Sequence, residues 1–184
     1  MAESEADTVR QAKQGDQPAF DRLFHRYRRP VMGFLYGMTG RRDFAEDLLQ
    51  ETVSRAFLLL PSLREESKFS AWLFGIARNV AREKGRSRLR DCNQLDLDSP
   101  IAEAVIDPKP DPEADAIKRQ LYREIGKGFS LLDEDRRTVL ALRVLGEKQY
   151  QEIAEITGWS LARVKVEIHR ARAEMRKRME PYIK

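Results

Sequence analysis

Basic side chains at helical spacing near the C-terminal end are the residues of this sequence best suited to chemistry. They are Arg163, Lys165, Arg170 and Arg172, within the segment YQEIAEITGWSLARVKVEIHRARAEMRKR at residues 150–178. Spaced in this way they occupy the outer face of one helix, where they can bind the phosphates and base edges of a DNA major groove. A charge run alone would favour an ordinary solvated helix face, so the surrounding elements decide the interpretation.

The residues before the basic helix predict a helix-turn-helix. Ala154 suits a close helix crossing, Gly158 a tight turn with positive φ, and Val164 the packing of the second helix on the first. Ser160 follows the turn and can cap the second helix. This joint spacing ahead of a basic helix favours DNA binding over a solvated face.

Catalytic chemistry has little support in the sequence. His25, His169 and Cys92 are the only histidines and cysteine, too few to build a zinc site from those residues. No glycine-rich phosphate loop or nucleophile elbow occurs. We therefore expect neither an enzyme nor a cofactor or metal. His169 lies on the basic helix, where its imidazole could contact a phosphate.

The net charge of +4 over 184 residues is distributed in blocks. Residues 1–90 hold 17 Lys or Arg and 12 Asp or Glu, residues 91–116 hold 1 and 8, and residues 117–184 hold 16 and 10. Two basic blocks around an acidic one suit a polyanionic partner at each. A single cysteine, with no apolar run of signal-peptide or membrane-span length, predicts a cytoplasmic protein without membrane insertion.

Apolar periodicity predicts an all-α protein with two small helical domains, residues 1–90 and 117–184. The first should contain a helix over 5–14, a second from 16 to a break at Gly37, Thr39 and Gly40, a third capped by Asp43 with Glu46, and a fourth capped by Ser67 or Ser70. Residues 91–116, rich in proline and acidic residues, predict a flexible linker. The second domain should contain a helix around 117–125, a helix capped by Asp133, and the helix-turn-helix.

The buried faces of the third and fourth helices follow from the same periodicity. The third should bury Leu48, Leu49, Val53, Phe57 and Leu60. On the fourth, Phe69 and Trp72 fall on the apolar stripe, which favours a place in the core over stacking on bases.

Four stretches, in this order, make the chain resemble the extracytoplasmic-function (ECF) sigma factors of the sigma-70 family. They are GDQPAFDRLFHRYRRPV, DFAEDLLQETVSRAF, FSAWLFGIARNVAREKGRSR and LALRVLGEKQYQEIAEITGWSLARVKVEIHRARAEMRKR. The resemblance implies that residues 1–90 form sigma domain 2, which binds core RNA polymerase and opens the minus-10 element. Residues 117–184 would form sigma domain 4, which binds the minus-35 element. It also implies that an anti-sigma factor holds the protein inactive.

The resemblance assigns candidate roles to particular residues. The polymerase-binding face would contain Asp47, Gln50 and Glu51, since acids and amides beside an apolar ridge suit a basic partner helix. The candidates for minus-10 DNA are Arg64, Lys68, Arg78, Asn79, Arg82 and Lys84. The candidates for minus-35 DNA are Ser160, Arg163, Lys165, Glu167, His169, Arg170 and Arg172.

Glu167 departs from the family pattern, in which an arginine is usual at this position. A glutamate repels phosphate but can accept a hydrogen bond from cytosine N4. The substitution therefore suggests an altered promoter preference rather than lost binding.

Two other classes of protein compete with the sigma factor. A stand-alone helix-turn-helix regulator would have a similar C-terminal domain, but would normally bring a ligand-binding or receiver domain and a dimer interface. The first domain shows no α/β pattern of that kind. A pure protein-interaction module would leave both basic blocks unexplained.

Overall fold

The computed structural model describes residues 4–88 and 128–180. The predicted linker at 91–116 and the predicted helix at 117–125 lie outside these residues. Within them every regular element is an α-helix or a short 3-10 helix, which confirms the all-α prediction.

Helices α1 (Glu5–Lys13) and α2 (Gln17–Thr39) form the first layer. Asp16 caps α2, because its side chain accepts a hydrogen bond from the backbone N–H of Ala19 at 3.2 Å. The break predicted at Gly37, Thr39 and Gly40 occurs at the last of these residues: α2 continues through Gly37 to Thr39 and ends at Gly40, which has φ of 68°. Gly37 serves a packing contact described below.

Helix α3 (Arg42–Leu59) begins without a side-chain cap, so the capping box predicted for Asp43 and Glu46 is wrong. Both carboxylates are bound by neighbouring arginines instead. Asp43 accepts from Arg41 at 2.7 Å, and Glu46 accepts from Arg42 at 2.9 Å. The chain then forms a 3-10 helix at Leu60–Ser62, where Pro61 ends the α-helical hydrogen bonding.

The end of α3 exposes three large apolar side chains. Phe57, Leu58 and Leu59 are 49%, 74% and 47% exposed, so the expected burial of Phe57 is wrong. Thr52 and Ala56 are buried instead. These two small residues allow α3 to pack close to its neighbours. Phe57 lies at the edge of this contact, with its ring centroid 5.1 Å from that of Phe20.

Helix α4 (Phe69–Arg88) follows a 3-10 helix at Glu66–Lys68. The predicted cap by Ser67 or Ser70 is wrong, because Ser67 lies within the 3-10 helix and Ser70 within α4. The Ser70 hydroxyl accepts a hydrogen bond from Lys148 instead. Phe69, Leu73, Phe74, Ala77 and Val80 are buried, and they turn one face of α4 toward the core.

The second domain contains helices α5 (Glu134–Val144), α6 (Tyr150–Thr157) and α7 (Leu161–Met179). Asp133 caps α5 by accepting from the backbone of Arg136 at 2.9 Å, and Ser160 caps α7 by accepting from Arg163 at 3.2 Å. Gly158 adopts φ of 73° between α6 and α7, as predicted for the turn. Val164 and Ile168 are buried, which confirms the predicted helix-turn-helix.

The two domains pack directly on each other, α2 against α5 and α4 against α6. A Cβ atom at Gly33 would lie 3.1 Å from the carbonyl oxygen of Leu145, and one at Gly37 would lie 3.0 Å from Cβ of Ala141. A side chain at Gly37 would overlap its neighbours, and one at Gly33 would be tighter than an ordinary van der Waals contact. The buried residues of both domains consequently form one continuous core.

Among the helices that the structure describes, none combines the length and the apolar character that crossing a membrane requires.

Candidate nucleic-acid interface

Helix α7 presents a basic face on the side opposite to the core. Val164, Ile168 and Ala171 are buried, so the residues between them turn outward. The exposed candidates on and before this helix are Ser160, Arg163, Lys165, His169, Arg170 and Arg172. A helix with one face packed and a basic face exposed can enter a DNA major groove.

Arg163 is held by two contacts at the start of α7. Its guanidinium carbon lies 3.8 Å from the centroid of the Trp159 ring, and its Nη2 donates a 2.8 Å hydrogen bond to Asp135. An exposed cation–π contact contributes about 0.5–1 kcal/mol. The stacking fixes the direction of the side chain, and the ion pair directs it toward α5.

Glu167 lies on the flank of α7 that faces α5. Its side chain is 15% exposed, and one carboxylate oxygen accepts a 3.0 Å hydrogen bond from Arg170. The other lies 3.4 Å from Nε of Arg136, which is an ion pair without a hydrogen bond. Arg136 also bonds Glu174 at 3.1 Å. Glu167 therefore links α7 to α5, and this geometry supports a packing role for its carboxylate.

A groove between the domains contains three of the six minus-10 candidates. Arg64, Lys68 and Asn79 line it together with the half-buried Trp72, around a volume of about 590 Å³. Phe69 is buried in the core, as predicted. Trp72 packs against the core, as predicted, but it is only half-buried and also lines the groove, where a base could stack on it.

Two further minus-10 candidates lie on another face of α4, toward α5. Arg82 donates a 2.9 Å hydrogen bond from Nε to Glu134. Nε of Arg78 is buried and has no hydrogen-bond partner among the described residues. Burial, and after it the charge of Arg82, lowers the pKa of Arg78, while Asp135 and Glu134 act in the opposite direction.

The polymerase-binding candidates Asp47, Gln50 and Glu51 line one depression on α3, of about 460 Å³. Lys84 lies in the same depression, so the structure places it apart from the other minus-10 candidates. Arg55 connects α3 and α4 beside it, because its guanidinium bonds Glu83 and Glu51, each at 2.7 Å. These hydrogen bonds raise the pKa of Arg55, and the bond to Glu83 makes the largest contribution.

The loop that carries Arg64 and Lys68 is held by α1, a contact that sequence reasoning missed. Lys13 Nζ donates to the Leu63 carbonyl at 2.7 Å and to the Glu66 carboxylate at 2.8 Å. The Lys13 hydrogen bond holds the pKa of Glu66 below its usual range. Local sequence patterns do not reveal that a lysine will donate a hydrogen bond to a residue 50 positions away in the chain.

Sequence patterns also did not predict the residues at the contact between the two helical domains. Phe74 and Lys148 are both buried there, although a lysine in a loop is usually exposed. The spacing of Gly33 and Gly37, four residues apart inside an apolar helix, was the available signal for a close helix approach.

Within residues 4–88 and 128–180 no three His, Cys, Asp or Glu side chains converge in a way that could hold a metal ion.

Two family models match the chain. The model for Sigma-70 region 2 matches residues 23–90, and the model for Sigma-70, region 4 matches residues 122–175. Two solved structures share the fold. A complex of CnrH with the cytosolic domain of CnrY has a TM-score of 0.73 at 21% identity and covers 97% of this chain and 99% of that chain. The Bartonella quintana sigma factor RpoE in complex with the anti-sigma factor NepR has a TM-score of 0.68 at 24% identity. The match covers 88% of this chain and 96% of that chain.

Curated relatives match over nearly their whole length. The ECF RNA polymerase sigma factor SigW of Bacillus subtilis is 31% identical, with 93% of this chain and 94% of the relative covered. The ECF RNA polymerase sigma-E factor of Haemophilus influenzae is 31% identical, with 98% of this chain and 99% of the relative covered. With a helix-turn-helix, a second helical domain and both sigma-70 regions in the family's order, this chain belongs to the ECF sigma factors of the sigma-70 family.

Proposed function

We propose that this sigma factor binds core RNA polymerase through the α3 depression and directs initiation at promoters that its two domains recognise. One observation carries the proposal: Asp47, Gln50 and Glu51 converge on one surface, separate from the basic face of α7. Acids and amides grouped in this way, apart from the DNA-binding face, suit a basic protein partner. The polymerase supplies the chemistry of RNA synthesis, and the sigma factor acts with it in the cytoplasm.

The proposed domain boundaries are 1–90 for domain 2, 91–116 for the linker and 117–184 for domain 4. In domain 4, we assign Lys165, His169 and Arg172 to contact with the minus-35 element, because they are exposed on one face of α7. Ser160, Arg163 and Arg170 flank this face at positions from which phosphates can be reached.

In domain 2, we assign the groove to the minus-10 element. Trp72 offers a ring face for a base, Asn79 offers hydrogen bonds to a base edge, and Arg64 and Lys68 offer charge to the separated strand. Arg78 and Arg82 are proposed as phosphate contacts that become available when α4 is free of α5. Lys84, which lies in the α3 depression, is reassigned to the polymerase side.

Control by an anti-sigma factor is proposed from the solved relatives. The Bartonella quintana relative is bound to an anti-sigma factor in its structure. Its fold covers 88% of this chain, so a partner of the same kind could engage both domains here.

The test is run-off transcription with purified core polymerase on genomic fragments, together with a core-binding assay. The wild-type chain should bind core polymerase as a monomer and produce defined transcripts. Asp47→Lys should weaken core binding about tenfold or more, because it reverses a charge on the proposed contact surface. Asp21→Lys makes the same charge change at an exposed site on α2 and should have little effect. Binding to a palindromic site as a dimer, without any polymerase-dependent transcript, would contradict the proposal.

A further inference from the structure

Helix α7 carries an exposed apolar side chain at the centre of its basic face. Val166 is 44% exposed, and it does not pack against the hydrophobic core. In sequence it lies midway between Val164 and Ile168, which are both buried. Because an α-helix turns by about 100° per residue, Val166 points directly away from the buried face.

The residues in line with Val166 along the helix are small and apolar. Ala162 lies one turn before it and Ala173 two turns after it, and both are exposed. We call Ala162, Val166 and Ala173 the apolar line. Side chains this small allow the helix backbone to come close to the floor of a groove, and Val166 projects furthest of the three.

Cations lie on both sides of the apolar line. Lys165 and Arg172 are exposed on one side, and Arg163 and Arg170 are exposed on the other. A DNA major groove is about 12 Å wide and admits one helix. Side chains on the flanks of that helix can reach phosphates, while those at its centre meet the base edges. The position of Val166 is therefore that of a base contact.

The two arginines beside Val166 are held away from it. Arg170 donates a 3.0 Å hydrogen bond to Glu167, and Arg163 donates a 2.8 Å hydrogen bond to Asp135. Both carboxylates lie on the side toward α5, so the two guanidinium groups turn to that side. The methyl groups of Val166 consequently stay accessible between long charged side chains.

A valine side chain has no hydrogen-bonding group, so it can distinguish bases only through apolar contact. In the major groove thymine presents a C5-methyl group, whereas cytosine has only a hydrogen at that position. We propose that Val166 specifies a thymine in the minus-35 element by packing against this methyl group. The inference rests on the proposed function, because it assumes that α7 binds that element.

The expected effect is small and confined to one base pair. Burial of one methyl group corresponds to about a three- to fivefold difference in affinity. Thymine should be preferred over cytosine by this factor at the position that Val166 contacts. The cations of α7 form hydrogen bonds that do not depend on the methyl group, so preferences at other positions should not change.

The first test is selection from promoters with a randomised minus-35 element, using core polymerase assembled with the full chain. The wild type should select a thymine at one or more positions. Val166→Ser removes both methyl groups and should lose the preference for thymine over cytosine at one of them. Val144→Ser is the matched control, since Val144 is 52% exposed on α5, and it should select as the wild type does. Unchanged selection by Val166→Ser would overturn the proposal.

The second test changes the DNA and leaves the protein intact. Deoxyuridine pairs as thymidine does and presents the same hydrogen-bonding groups, but it lacks the C5-methyl. At the selected position it should lower the affinity of the wild-type holoenzyme about three- to fivefold, measured by fluorescence anisotropy, and should not change that of Val166→Ser. Equal losses for both proteins, or no loss at any selected thymine, would show that Val166 does not contact a methyl group.

The outcomes separate this inference from the proposed function. If transcription depends on the polymerase but deoxyuridine has no effect, the proposed function stands and the role of Val166 is excluded. If the wild-type chain yields no polymerase-dependent transcript, the proposed function fails instead. The same selection and deoxyuridine comparison, made with the free chain, then decide whether Val166 contacts thymine.

Discussion

The ammonium group of Lys148, in domain 4, lies 4.6 Å from the centroid of the Phe74 ring in domain 2. The same Nζ donates a 2.7 Å hydrogen bond to Ser70 and lies 3.5 Å from a carboxylate oxygen of Glu152. Lys148 is 8% exposed, so its charge is stabilised by these groups rather than by water. The two sigma domains are therefore joined by a specific polar contact as well as by apolar packing.

Lys148→Ala should lower the free energy of unfolding by about 2 kcal/mol, because it removes a buried charge-assisted hydrogen bond and a cation–π contact. Urea denaturation followed by circular dichroism measures the change. Lys177→Ala, at an exposed position of α7, is the matched control and should change stability by less than about 0.5 kcal/mol. Equal effects of the two substitutions would show that the domain contact does not contribute in solution.

Gly37→Ala and Gly85→Ala should have opposite effects on stability. Alanine is the better helix former by about 1 kcal/mol, and a Cβ at Gly85 meets nothing within 4 Å. At Gly37 the added Cβ would lie 2.8 Å from Cδ1 of Leu145 and 3.0 Å from Cβ of Ala141, and overpacking of this kind costs about 1–3 kcal/mol. Thermal unfolding should therefore show a higher midpoint for Gly85→Ala and a lower one for Gly37→Ala. A higher midpoint for both would indicate that α2 and α5 are not in close contact.

Glu167→Gln should lower stability by about 1 kcal/mol, because it removes the negative charge that pairs with Arg136 and Arg170. If the Glu167 carboxylate only links α7 to α5, the variant should prefer the same minus-35 sequences, in the same order of affinity, as the wild type. Selection from a randomised minus-35 library measures the ranking. A changed preference at one base pair would instead support the hypothesis, based on the sequence, that Glu167 contacts a base.

Ser160 combines a capping role with a position beside the proposed DNA contact, and two substitutions separate them. Ser160→Ala should cost about 1 kcal/mol of stability, since the cap on the Arg163 N–H is lost. Ser160→Asp should keep the cap and the stability but weaken DNA binding, because it adds a negative charge near phosphates. Chemical denaturation and fluorescence anisotropy with a promoter fragment measure the two effects. Undiminished DNA affinity in Ser160→Asp would place the start of α7 away from DNA.

The sequence by itself determined the elements that depend on near neighbours. Asp16, Asp133 and Ser160 cap helices because each side chain bonds an N–H three residues further on. Gly158 forms the turn because its backbone tolerates positive φ. The periodic burial of Val164 and Ile168 follows from helix geometry. The all-α class and the helix-turn-helix were therefore predictable.

Only the tertiary structure decided how the surface residues are grouped. The minus-10 candidates on one helix divide among three places because α4 contacts α3, α5 and α6 on different faces: Asn79 faces the groove, Arg82 meets Glu134, and Lys84 joins the α3 depression. The exposure of Phe57 and the burial of Lys148 have the same origin. Each depends on partners distant in sequence, and local patterns carry no information about which faces of two helices will meet.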